Sequence, residues 1–375
     1  MNFDFSEDQK FLKDQARKFL SETCPATVAR AVLEAGSTHD AGLWTSIAQM
    51  GWTGTAIPEA YGGLGLGHLE LCVIAEELGR ALAPVPFASS VYLATEAVLT
   101  AGSEAQKQAY LPRLADGSLI GTLAMAEGPR PATPASMAVS FDGAVVTGDK
   151  LPVPDGMVAD FAIVVAKNSG GTDEADVDLA LVDLNGPGVS RETVSTLDPT
   201  RPHAVIRFDG APAERLGTEG AGWTLVRQVL DRAAVLTAFE QVGGADACLE
   251  MAKDWALNRY AFGRQIGSFQ AIKHKLADMY INTELARSNA YFGAWALSTD
   301  SPDLAIAAAG ARVSATQAYH YASKENIQTH GGMGFTWEGD CHLHYRRSKH
   351  LSLVLGAERV WKDRLVNQLE RRNVA

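Results

Sequence analysis

Arg259-Tyr-Ala-Phe-Gly-Arg-Gln-Ile-Gly-Ser-Phe-Gln270 is a short polar break between two long helical patterns, and the fold of the chain turns on it. Upstream, residues 223–257 run without proline and carry apolar residues on more than one helical face. Downstream, residues 270–297 do the same. A second break, Gln328-Thr-His-Gly-Gly-Met-Gly-Phe335, closes a third pattern that begins at Pro302, and residues 357–371 supply a fourth. Four long helices joined by short breaks predict a bundle. Helices apolar on several sides face a partner subunit as well as their own core.

Outward from the bundle, the middle of the chain changes period. Residues 119–126, 144–147, 160–166 (DFAIVVA), 178–183 and 204–208 read as strands separated by Pro and Gly, which predicts a compact antiparallel barrel or sandwich. The start is helical again. Ser6 followed by Gln9 is a capping box, residues 44–50 and 106–114 are short amphipathic stretches, and residues 68–83 form a helix stopped by Pro84 and Pro86. The fold class is therefore α+β multidomain: an N-terminal helical domain (1–118), a middle antiparallel β-barrel (119–217) and a C-terminal four-helix bundle (218–375).

The composition agrees. A chain of 375 residues carries about two to three domains, and 46% apolar against 21% charged residues is globular rather than disordered. The net charge of −11 argues against nucleic acid as a partner. Four well-separated cysteines and an acidic, polar start predict a reducing compartment, hence a cytoplasmic protein with no signal peptide. No apolar run reaches the roughly 18 residues of a bilayer span, so no membrane insertion is expected.

Several chemistries drop out. The glycines at 62, 63, 65 and 67 follow a helix and loop rather than a strand, unlike a Rossmann fingerprint, and there is no P-loop, HExxH or GxSxG. Cys341-His-Leu-His344 looks like a metal box, but residues i and i+2 of a helix point apart, so no metal is expected. The two breaks are more informative. A dinucleotide site needs an arginine for phosphate, a flat ring for stacking, an amide for a base edge, and glycines where backbone N–H groups approach an anion. Together they supply all four.

These residues resemble the acyl-CoA dehydrogenase family of flavoproteins. Arg259, Phe262, Gly263, Ile266 and Gln270 match R-x-x-F-G-x-x-I-x-x-x-Q, and Gln328, Gly331, Gly332, Gly334 and Glu338 match Q-x-x-G-G-x-G-x-x-x-E. Residues 57–66 match IPExYGGxGL, and residues 148–156 are a looser match in the middle of the chain. The resemblance implies bound FAD, with Arg259, Phe262 and Gln270 reaching the pyrophosphate and adenine of a neighbouring subunit's cofactor, joined by Gln328, Gly331 and Gly332. It implies Met125 at the flavin, acyl-CoA as substrate, electron-transfer flavoprotein as acceptor, and a homotetramer or homodimer.

The chain departs from the family in two places. Ala126 stands where a flavin-holding threonine is usual, the Gly-Ser-Asp that follows is missing, and Pro152-Val-Pro154 lacks the customary aromatic and hydroxyl residues. Barrel contacts to the flavin should therefore come from backbone groups. The second departure concerns the base that removes the substrate's α-proton. The two family positions align with Leu355 and Ala233, and neither accepts a proton. Glu240, two turns after Ala233 among Leu236, Thr237, Gly243, Gly244 and Ala247, is the candidate catalytic base. Its alternative is a structural carboxylate paired with an arginine, and Asp231 and Glu358 are further candidates. The small residues around Glu240 suggest room for a bulky acyl group. Three functions follow: an acyl-CoA dehydrogenase giving trans-2-enoyl-CoA, a flavin monooxygenase or oxidase on the same scaffold, and a non-catalytic FAD-clamping subunit in a hetero-oligomer with a homologue.

Overall fold

Ser6 Oγ accepts the backbone N–H of Gln9 at 3.2 Å, and Gln9 Oε1 accepts that of Ser6 at 2.9 Å. The capping box thus opens α1 (Glu7–Thr23) as its spacing predicts, in a computed structural model that describes residues 5–374 apart from residue 169. The helices α2 (Ala26–Ala35), α3 (Ala41–Gln49) and α4 (His68–Arg80) follow. Beyond the prolines at 84 and 86, Ala88–Thr95 winds as a π-helix into α5 (Glu96–Ala101). That stretch carries no 3.6-residue signal, because the wider turn does not keep that period. A second capping box, Ser103 with Gln106, starts α6 (Glu104–Ala115).

The middle strands are β1 (Gly121–Ala124), β2 (Ser140–Phe141), β3 (Val145–Pro154), β4 (Phe161–Lys167), β5 (Val177–Asp183), β6 (Val189–Val194) and β7 (His203–Leu216). Pairing runs β4–β2–β3–β7–β5 and returns from β5 to β4, which closes a barrel. β4 and β5 are buried along nearly their whole length, as a continuous apolar run requires. The ladders are antiparallel except that β1 and β2 run parallel to β4. The short, polar β6 pairs only with β7, and its sequence VSRETV offers no strand signal beyond its position. Phe141, Val146, Val153, Val164, Val182, Ile206 and Phe208 fill the interior.

The C-terminal region holds α7 (Gly222–Asn258), a small hairpin of β8 (Tyr260–Ala261) and β9 (Arg264–Gln265), then α8 (Gln270–Ser298), α9 (Leu304–His330), α10 (Cys341–Leu351) and α11 (Glu358–Val374). The element order is helical, β, helical. By compactness, residues 1–31, 68–83 and 234–375 form one unit, and residues 32–67 and 84–233 another. In the first unit, α1 is fastened to α4 by Gln9–Glu70 at 2.9 Å, Lys13–Glu76 at 2.8 Å and Arg17–Glu77 at 2.8 Å. Its bundle core joins Cys248, Ala252, Met279, Tyr319, Ala322 and Leu351. No helix among the described residues is long and apolar enough to cross a membrane.

Candidate functional site

Helix α7 carries Glu240 into the bundle interior with no exposed surface. Its Oε1 lies 3.7 Å from Nη1 of Arg347 on α10, and Arg347 is itself 1% exposed. Beside them on α9 lies Arg312, also 1% exposed. Arg312 donates to Gln241 Oε1 at 2.6 Å, to Thr316 Oγ1 at 3.0 Å and to the carbonyl of Leu351. Burial pulls the Arg312 guanidinium down to about 9, and the Glu240 carboxylate opposes that fall. Glu240 is thus the counter-charge of two buried arginines.

The small residues around Glu240 have a packing explanation, which corrects the expectation of room for an acyl group. A Cβ on Gly243 would fall 1.8 Å from the carbonyl oxygen of Glu76, and one on Gly244 would fall 2.4 Å from the Tyr319 ring. These glycines let α4 and α9 approach α7; they do not open a cavity. At the family base positions, Ala233 and Leu355 are both buried. Asp231 is 6% exposed in the barrel-containing unit. Glu358 opens α11, where Gln317 donates to it at 2.7 Å and Lys362 pairs with it at 2.5 Å. Burial works against its ionised form, yet these two partners hold its carboxyl below the usual range.

The two motifs met in the sequence converge at the far end of α7. The Arg259 guanidinium lies 5.8 Å from the centre of the Trp255 ring, and His330 stacks on Trp255 at 4.7 Å. Arg259 and Gly331 are therefore brought to one place through Trp255 and His330, neither of which is a motif position. Phe262 and Gly263 form the two-residue turn between β8 and β9 with φ of 54° and 78°. That left-handed turn presents the Phe262 ring 95% exposed. Arg259, Gln270, Gln328, Gly331 and Gly332 are exposed as well. The loop beyond them is tied down by Arg30, which donates to Trp337 O at 2.7 Å and to Asp340 Oδ1 at 2.6 Å.

Two observations fit this end of the bundle to a dinucleotide. A Cβ at Gly332 would meet no atom within 4 Å, so packing within the chain does not account for the glycine. The bare backbone there is open to the approach of an anion. Phe262, in turn, holds an unfavourable backbone conformation without burying its ring. In the barrel, Met125 is half-buried and its carbonyl accepts from Lys150 at 3.1 Å. The carbonyl of Ala126 accepts from Leu151, and Leu151 O from Gly128, each at 2.8 Å.

Among the described residues no three His, Cys, Asp or Glu side chains are placed to hold a metal ion. His342 stacks on Trp337 at 4.9 Å, whereas His344 is buried with Nδ1 3.1 Å from the Tyr319 hydroxyl. Burial, together with Arg347 and Arg80, drives His344 down to about 3. The four cysteines form no disulfide, and all are buried.

With this geometry in place, comparison with known proteins defines the class. The acyl-CoA dehydrogenase N-terminal domain matches residues 6–118 and the acyl-CoA dehydrogenase C-terminal domain matches residues 220–369. The chain belongs to the acyl-CoA dehydrogenase family, a family of FAD-dependent oxidoreductases. It is 32% identical over 364 residues to the acyl-CoA dehydrogenase IpdE2 of Mycobacterium tuberculosis, covering 97% of this chain and 98% of that one. Among solved structures, a chain of the steroid ACAD Tcur3481-Tcur3483 superposes with a TM-score of 0.88 at 29% identity, covering 98% of this chain and 99% of that one. A chain of the ChsE4-ChsE5 complex from M. tuberculosis does so with a TM-score of 0.88 at 26% identity, covering 99% of each.

Proposed function

We propose that this chain serves the α,β-dehydrogenation of an acyl-CoA thioester to a trans-2-enoyl-CoA, as an FAD-clamping subunit beside a homologous chain that carries the base. Arg259 would pair with the pyrophosphate of a neighbouring subunit's FAD, Phe262 and Gln270 with its adenine end, and Gln328 with Gly331 and Gly332 would complete the clamp. At the barrel, Met125 and its neighbours would face the flavin of this chain's own FAD through their backbone. FAD bound there supplies the acceptor for the hydride leaving Cβ, and electron-transfer flavoprotein takes the electrons onward.

The observation that carries the two-chain reading is the contrast between an exposed clamp and an enclosed carboxylate. Glu240 is committed to Arg347 inside the bundle, while Leu355 and Ala233 accept no proton. Likeness to chains of two named complexes supports a hetero-oligomer, and likeness to a steroid ACAD supports an acyl group borne on a fused-ring body. The test is turnover with an artificial electron acceptor. The purified chain loaded with FAD should form no enoyl-CoA alone, and should gain activity on mixing with a homologue that carries glutamate at the position matching Leu355. Enoyl-CoA formation by the chain alone, lost in Glu240→Gln with FAD retained, would instead make Glu240 the base.

A further inference from the structure

Lys150 on β3 has a side chain with no exposed surface. Its Nζ donates to Glu127 Oε1 at 2.6 Å and to Met125 O at 3.1 Å. The Glu127 carboxylate also accepts the backbone N–H groups of Ala138 at 2.6 Å and Val139 at 3.3 Å. One ion pair, its ammonium buried and its carboxylate 15% exposed, therefore ties β3 to both ends of the proline-rich segment 127–139. It lies beside the backbone exchange of Ala126 and Gly128 with Leu151.

Stability alone is a poor reason for such a pair. Removing an ammonium from water is costly, and a well-packed apolar pair commonly replaces a buried ion pair without loss. What apolar side chains cannot do is hold a particular carbonyl and two particular amides. We propose that Lys150 and Glu127 are positioning residues that set the Met125–Gly128 backbone for the flavin, so that main-chain groups serve where Ala126 brings no hydroxyl. Burial takes the Lys150 ammonium down to about 8 against the pull of Glu127, which fits a charge kept for its hydrogen bonds.

This inference rests on FAD binding at the barrel, so its test includes a reading made without FAD. In the apo protein, Lys150→Met should raise amide exchange at Gly128 and Leu151 at least tenfold. In the assembled protein it should weaken FAD binding at least tenfold and shift the visible flavin band. The double variant Glu127→Gln/Lys150→Met leaves no buried charge behind. It should regain the wild-type melting temperature but not the FAD affinity or the band position, because methionine cannot donate to Met125 O. Recovery of affinity together with melting temperature would reduce the pair to a structural contact and overturn the proposal, as would unchanged exchange in the single variant. Should Lys150→Met not fold, the double variant alone decides on the same readings. A wild type that takes up no FAD would overturn the functional reading instead, and the apo exchange data would still decide this one.

Discussion

Helix α7 brings together two opposite uses of polar residues. Midway along it, Glu240 is enclosed and committed to Arg347 and Arg312. Beyond its C-terminus, Arg259 and Phe262 are held out in solvent by a left-handed turn and a tryptophan. A charged residue in an apolar interior is conspicuous in a sequence, yet here it is consumed by the fold. The polar residues available to a ligand are those the fold leaves at the surface.

The largest effect should come from attacking both places with comparable substitutions. Glu240→Gln leaves two guanidiniums without their counter-charge, a change that typically costs 3–5 kcal/mol, so its melting temperature should fall steeply. Arg259→Ala should leave melting almost unchanged while removing a charge-assisted contact of about 1.5–3 kcal/mol, seen as a more than tenfold loss of FAD affinity. Normal melting in Glu240→Gln would dissolve the comparison and return Glu240 to the list of bases.

A finer version uses two glycines. Gly243→Ala puts a methyl against the carbonyl of Glu76 and should destabilise by about 1–3 kcal/mol. Gly332→Ala meets open space and should stay within about 0.5 kcal/mol of wild type while weakening FAD. Equal stability losses in a urea titration would show that the surface loop is as tightly packed as the core.

A further contrast lies in pH. His344 takes its proton near the usual 6.5 when unfolded but only near 3 in the fold, so the unfolded chain holds more protons between these values. Stability should fall as pH drops through that window, with His344 contributing about 1.4 kcal/mol per pH unit. Replacing His344 with Gln should flatten the slope by that amount. A variant that tracks wild type between pH 6 and 4 would show that the imidazole is protonated in the folded state.

What could be read from the sequence was local. The capping box at Ser6, the bundle helices and the two glycine-bearing motifs each depend on neighbours a few residues away, so spacing alone reveals them. The partner of Glu240 does not, since Arg347 lies more than 100 residues further on. One signal was available. On α10 the buried stripe Cys341, His344, Arg347, Ser348, Leu351 places a histidine and an arginine at core spacing, which calls for an acid on some facing helix. The Lys150–Glu127 pair and the π-helix left no comparable trace, because neither has a period to detect.

The fastening of α1 to α4 has a consequence for how the chain is made. The unit they belong to is finished only by residues 234–375, whereas the other unit has all of its residues once 233 have been synthesised. At the usual rate of about 5–20 residues per second, the barrel-containing unit can close on the ribosome while α1 and α4 wait on the order of ten seconds for the bundle. During that interval Ala16 and Leu20 of α1 and Leu71, Ile74 and Leu78 of α4, all buried in the finished protein, lack their final cover. The Lys13–Glu76 and Arg17–Glu77 pairs lie within the two early helices, although Glu76 gains a second partner, Arg287 of α8, only later. They can hold the two early helices together until Arg287 and the rest of the bundle arrive to complete the network, a nursery role for salt bridges in a nascent chain.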